Sequence, residues 1–197
     1  TALLRFGGRQ QLEVLVSKES SNESVNEAER HSDFWIFGGL YRPVYLEARP
    51  PESLERVAID ARHDGAFRMD VYLGPLSAPA VVTAQIETTD GKPAGARFSA
   101  PVAARADRVT LETRVDRPAA WTAESPSLYR VAVSLKRGGK TLHTTTERFG
   151  FRTVELRPRD GLYVNGVKVR LKGVNRHSFW PDSGRTTSRA VSEMDVK

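Results

Sequence analysis

Along most of the chain, apolar and polar residues alternate with a period of two. Leu12, Val14 and Val16 alternate with polar neighbours, as do Val44 and Leu46. Phe67, Met69, Val71 and Leu73 follow, with Arg68, Asp70 and Tyr72 on the opposite face. Val82, Ala84 and Ile86 continue the series, then Val109 and Leu111, then Tyr129, Val131, Val133 and Leu135. Successive side chains of a strand point to opposite faces, so this pattern predicts half-buried strands of antiparallel sheets. Turns at Asp64-Gly65, Gly74-Pro75, Asp90-Gly91 and Gly138-Gly139 separate them. There is no internal repeat, and no long amphipathic helix precedes the last ten residues. The expected fold is mainly β.

Pro50-Pro51 marks a joint, because two consecutive prolines cannot donate ladder hydrogen bonds. Between it and about Arg148 there is room for roughly seven short strands, the number of an immunoglobulin-like β-sandwich. Trp121 and Tyr129 flank "TAESPSL" and are assigned to packing around a kinked Glu124-Ser125-Pro126 turn. After Pro158 the character changes. Asn165-Gly166 is a hairpin signal, since both residues accept the positive φ of a type I′ turn. Behind it Val167, Val169 and Leu171 share one face and Lys168, Arg170 and Lys172 the other, with strand character expected to about Asn175. Ser188 is placed to cap a helix starting at Arg189, where Val191 and Met194 begin an apolar stripe. Strand, polar loop, then helix is the opening unit of an α/β fold, and one such unit is not a domain. The third segment is therefore expected to be a truncated start.

The chain has 197 residues, 39% hydrophobic and 27% charged, an ordinary globular balance. No apolar run approaches the ~18 residues of a membrane helix, and residues 1–20 lack a signal-peptide pattern. It begins with Thr1 rather than Met, and is expected to start inside something longer. The compartment stays open between periplasmic or extracellular and cytoplasmic. Absence of cysteine excludes disulfides, thiolate metal sites and a Cys nucleophile. The net charge of +6 does not make a nucleic-acid footprint. Its cations are scattered singly, as in Arg68-Met69-Asp70 or Lys168-Val169-Arg170, where such a footprint needs clusters.

Two stretches carry candidate chemistry. In "SDFWIFGGLYRPVYLE", Ser32 to Glu47, Asp33 and Trp35 precede Gly38-Gly39. Either Asp33 caps a turn with aromatics beneath it, or the pair forms a carbohydrate site. In the second case the carboxylate accepts from sugar hydroxyls and the aromatic face packs on the ring. In "GVNRHSFWPDSGRTTS", Gly173 to Ser188, Arg176 and His177 lie where strand character runs out. Catalytic groups of a parallel barrel sit at such carboxyl ends. A Ser178–His177 hydrolase triad is excluded by the missing Gly-x-Ser-x-Gly elbow. No His/Asp/Glu spacing suggests zinc, and Gly38-Gly39 is not followed by a helix, which argues against a phosphate loop.

The pattern Asp-x-Trp-x-x-Gly-Gly-Leu-Tyr-Arg-Pro-Val (Asp33–Val44) resembles the end of the sugar-binding jelly roll of glycoside hydrolase family 2. That is the family of β-galactosidases and β-glucuronidases. "FGFRTVE" (Phe149–Glu155) resembles its passage from immunoglobulin-like domain to barrel, and "NGVKVRLKGVNRH" (Asn165–His177) its first barrel segment. The resemblance implies three parts. Residues 1–50 would be the last strands of the jelly roll, 51–153 the immunoglobulin-like sandwich, and 154–197 the first strand and loop of a (β/α)8 barrel. It also implies a retaining exo-glycosidase acting on terminal β-linked sugars, β-galactoside or β-glucuronide, with two Glu residues ~5–5.5 Å apart. Both Glu lie downstream in the family, the acid/base directly after an Asn. Asn22-Glu23 and Asn26-Glu27 fall instead in the jelly-roll loop. No catalytic residue is therefore expected in this chain, which should be inactive alone.

What carries over is substrate contact. Asp33 matches a family Asp that touches the sugar, and His177 a family His that contacts a hydroxyl and helps stabilise the transition state. Trp35 and Arg176 complete the candidate binding set, while Trp180 and Asp182 receive no role. No cofactor or metal site is expected, with a cation near Asp33 of the full enzyme left open. The expected partner is a carbohydrate substrate of the full enzyme, with no nucleic acid or membrane; a homo-oligomer is left open. The alternative is a stand-alone sandwich module for carbohydrate binding or domain spacing. It predicts a closing strand at the C-terminus, where "RAVSEMDVK" reads as the start of a helix.

Overall fold

Seven strands between Leu54 and Phe149 pair into two antiparallel sheets, as the alternation predicts. They are β1 (Leu54–Ala61), β2 (Ala66–Leu73), β3 (Ala80–Thr88), β4 (Phe98–Val102), β5 (Arg108–Arg114), β6 (Tyr129–Arg137) and β7 (Lys140–Phe149). In this computed structural model, which describes residues 7–31 and 38–197, one sheet has the order β1-β2-β5 and the other β4-β3-β6-β7. The chain forms two compact units, Glu47–Lys172 and a second made of Thr1–Leu46 with Gly173–Lys197.

Register explains the core of the first unit. Val82, Ala84 and Ile86 stand opposite Leu135, Val133 and Val131, and Met69 stands opposite Leu111. Met69, Val71, Val82, Val131, Val133 and Leu135 are 0% exposed. Burying each such side chain contributes about 1.5–3 kcal/mol. At one end of the sandwich Phe67, Tyr129, Phe149 and Phe151 form an aromatic cluster, with Phe149 and Phe151 centroids 5.2 Å apart at 72°. The Tyr129 hydroxyl accepts the Ala119 N–H at 2.9 Å. That is the tyrosine corner of immunoglobulin-like sandwiches. Trp121 packs so close to Gly150 that a Cβ there would lie 2.7 Å from its own Cβ. The Arg152 guanidinium lies 4.6 Å from the Trp121 ring centroid. Trp121 and Tyr129 are packing residues, as their positions around the turn suggest.

A small sheet follows, β8 (Val154–Arg157), β9 (Gly161–Val164) and β10 (Val167–Val169), in the order β10-β9-β8. Asn165 and Gly166 turn between β9 and β10 with φ of 52° and 78°, as a type I′ turn requires. The Asn165 side chain accepts the Thr153 N–H at 2.9 Å and donates to the Trp121 carbonyl at 3.0 Å. One residue thus fastens the hairpin to the sandwich.

Three expectations differ from the structure. The ladder ends at Val169 rather than near Asn175, and Leu171 and Val174 are 78% and 93% exposed. Leu12, Val14, Val16, Val44 and Leu46 also stand exposed and outside any strand, where the alternation predicts strands. Alternation makes a segment fit to pair, but a strand exists only where a neighbour supplies the other half of the ladder. The expected loop at Asn22–Glu27 instead holds helix α1 (Glu23–Arg30), capped by Asn22 Oδ1 accepting the Ser24 N–H at 3.0 Å. Helix α2 (Arg189–Val196) begins where expected, with Ser188 Oγ accepting the Val191 N–H at 3.2 Å. Among the described residues no helix is long and apolar enough to cross a membrane.

Two contacts pin the segment that leads into β1. Glu52 takes both Arg137 terminal nitrogens at 2.7 and 2.8 Å, plus the Ser77 N–H and hydroxyl at 2.7 and 2.8 Å. These bonds, Arg137 first, hold the Glu52 carboxyl at about 2, against an ordinary 4.5. A depressed pKa contributes stability above the unfolded value, and that stability is lost as pH falls through the folded one. Glu52→Gln should therefore lower the unfolding midpoint at neutral pH. The gap to wild type should close as pH falls from 4.5 towards 2, measured by thermal melts across that window. The second pin is His143, whose Nδ1 accepts the Leu54 N–H at 3.0 Å. His143→Ala leaves a buried donor unpaired and should destabilise by about 1–3 kcal/mol. His143→Asn, which can present Oδ1 at the same place, should retain most of the stability in urea titration.

Candidate functional site

In the second unit, the stretch after Gly39 meets the stretch after Gly173 across a cleft of about 710 Å³. Tyr41, Arg42 and Pro43 line one side. Arg176, His177 and Ser178 line the other, together with Arg185, Thr186 and Thr187. Gly39 has φ of 95°, a conformation that glycine adopts freely and other residues rarely do, and this turn delivers Tyr41 to the cleft. The Thr186 hydroxyl donates to the Tyr41 carbonyl at 3.4 Å. The guanidinium carbons of Arg42 and Arg185 lie 5.6 and 5.5 Å from the Tyr41 ring centroid, within cation–π range.

A tight turn shapes the opposite wall. The Trp180 N–H donates to the Gly184 carbonyl at 2.8 Å, and the Gly184 N–H returns to the Trp180 carbonyl at 2.9 Å. This reversal carries Arg185 to Thr187 back towards His177, and gives Trp180 a part in shaping the loop. Arg176 forms an ion pair with Asp195 of α2.

The structure brings Arg176 and His177 into one cleft with the Tyr41 stretch. Asp33 and Trp35 lie outside the described residues. Tyr41, Arg42, Arg185, Thr186 and Thr187 were not singled out from sequence. Tyr41 and Arg42 belong to the same motif as Asp33, one residue beyond the glycine pair, and that position was the available signal. The lining supplies guanidinium and hydroxyl donors and an aromatic ring, but among the described residues no carboxylate. It can hold a polyhydroxylated ligand, but it offers no side chain for carboxylate acid/base or nucleophilic work. Among the described residues no group of three or more His, Cys, Asp or Glu could hold a metal ion.

The family model described as glycosyl hydrolases family 2 matches residues 54–152, from the first residue of β1 through the aromatic cluster. The chain belongs to that family. A beta-galactosidase of Photobacterium profundum is 32% identical over 206 residues, 96% of this chain and 19% of that protein. A beta-galactosidase of Psychromonas ingrahamii is 28% identical over 204 residues, again 96% of this chain and 19% of that protein. The solved structure of Bacteroides uniformis beta-glucuronidase 3 superposes with a TM-score of 0.65 at 27% identity, covering 83% of this chain and 21% of that one. A family 2 member from Bacteroides cellulosilyticus, at 21% identity and a TM-score of 0.69, shows the shared fold. The chain thus spans about a fifth of the length of these proteins.

Proposed function

We propose that this chain is part of a retaining exo-glycosidase acting on terminal β-linked sugars. Its own contribution is one wall of the sugar site. Residues 1–50 belong to a sugar-binding jelly roll, 51–153 to the immunoglobulin-like sandwich and 154–197 to the start of the catalytic barrel. One observation carries the reading: two stretches far apart in sequence, each resembling a family 2 sugar-site motif, line a single cleft rich in hydrogen-bond donors. In that site Asp33 accepts from a sugar hydroxyl and Trp35 packs on the ring. His177 contacts a hydroxyl more strongly in the transition state, and Arg176 adds donors.

Hydrolysis with retention needs two carboxyl groups flanking the glycosidic bond, one to protonate the leaving oxygen and one to attack the anomeric carbon. The cleft provides neither. The 197-residue chain alone should therefore not turn over a nitrophenyl β-galactoside or β-glucuronide above a heat-killed control. Clear turnover by pure chain would contradict this. In the complete enzyme, Asp33→Ala removes a charge-assisted bond and should lower kcat/KM roughly ten- to a hundred-fold. His177→Ala should lower it at least as much. Because both grip one ligand, the double variant should fall short of the product of the single losses. Wild-type kcat/KM in both folded single variants would assign these residues to structure and overturn the site reading.

A further inference from the structure

We infer that Asp195 is a positioning residue for His177, acting through Arg176. This rests on the reading of His177 as a sugar contact. Arg176 directly precedes His177 in the chain, and its guanidinium pairs with Asp195 of α2, so the residue beside His177 is held by a side chain nineteen positions further on. The start of the helix is fixed by the Ser188 cap, and the intervening loop is closed by the Trp180–Gly184 turn. The segment from Arg176 to Asp195 is thus a loop tied at its base, with His177 beside the tie.

Side-chain exposures of 32% and 37% put the pair at the surface, where an ion pair adds little to stability. Its effect is local. Releasing it frees the backbone on which His177 is carried, and a displacement of about 1 Å at a reacting site can cost on the order of a hundred-fold in rate. Arg176 keeps its place in the cleft wall, with its charge directed to the helix.

The test is a set of variants in the complete enzyme. Asp195→Asn keeps the shape and removes the charge; it should lower kcat/KM about ten-fold, mainly through kcat, with an unchanged unfolding midpoint. Asp195→Glu should recover much of the loss. In a His177→Ala background, Asp195→Asn should have no further effect, because the residue it positions is gone. A full additional loss in that background would overturn the inference, since Asp195 would then act elsewhere. Wild-type kinetics of Asp195→Asn beside an impaired His177→Ala would also overturn it, and would leave the sugar-site reading standing. Wild-type kinetics of His177→Ala would overturn both. Should Asp195→Asn fail to fold, Asp195→Ser, which also removes the charge and leaves the cleft lining untouched, takes its place. It should show a kcat loss that again vanishes with His177→Ala, and persistence of that loss would refute the inference.

Discussion

Burial of Phe151 is the constraint from which the order of the larger unit follows. The ring is 0% exposed, wedged among Phe67, Phe149 and Tyr129. Its carbonyl accepts the Trp121 N–H at 2.9 Å, and the next residue's N–H donates to the Ala61 carbonyl at 2.8 Å. The chain therefore leaves the sandwich along one fixed path. Thr153 arrives where Asn165 can bond it, and Asn165 in turn sets the hairpin that opens the segment towards His177. A cavity at Phe151 would cost its transfer free energy and also slacken this exit, since the ring bridges Phe67, Phe149 and Tyr129.

The sequence shows some of this readily and some not at all, for physical reasons. β2, β3, β5 and β6 alternate cleanly because one face is buried and the other is not. β1 is disguised by an irregularity between Leu54 and Arg56 that breaks the alternation. β7 is an edge strand whose His143, Thr145 and Glu147 stand opposite Leu135, Val133 and Val131, so its core-facing positions need not be apolar. β4 carries Pro101, which an edge tolerates. The Asn165-Gly166 turn was legible because its backbone angles demand those residues. Conversely, Leu12–Val16 and Leu171 have the pattern of strands without a partner among the described residues, and pairing is a property of two segments that one segment cannot display.

The same distinction separates the fold from the site. The family 2 match coincides with the sandwich, a self-contained core. The candidate chemistry lies in the flanks, where His177 and Arg176 could be named from their motif. Tyr41, Arg185 and Thr186 became visible only when two distant stretches met. Their joint surface offers hydrogen-bond donors and an aromatic face and, among the described residues, no carboxylate.

That meeting of stretches is the central claim, and the cysteine-free chain allows it to be measured directly. Spin labels attached at Pro43→Cys and Ser178→Cys, read by pulsed electron double resonance on the 197-residue chain, report the distance across the cleft. A single narrow distribution at the short end of the accessible range is the predicted result. A broad distribution, or one centred at long distance in a chain that otherwise melts like wild type, would mean that the two stretches do not share a cleft.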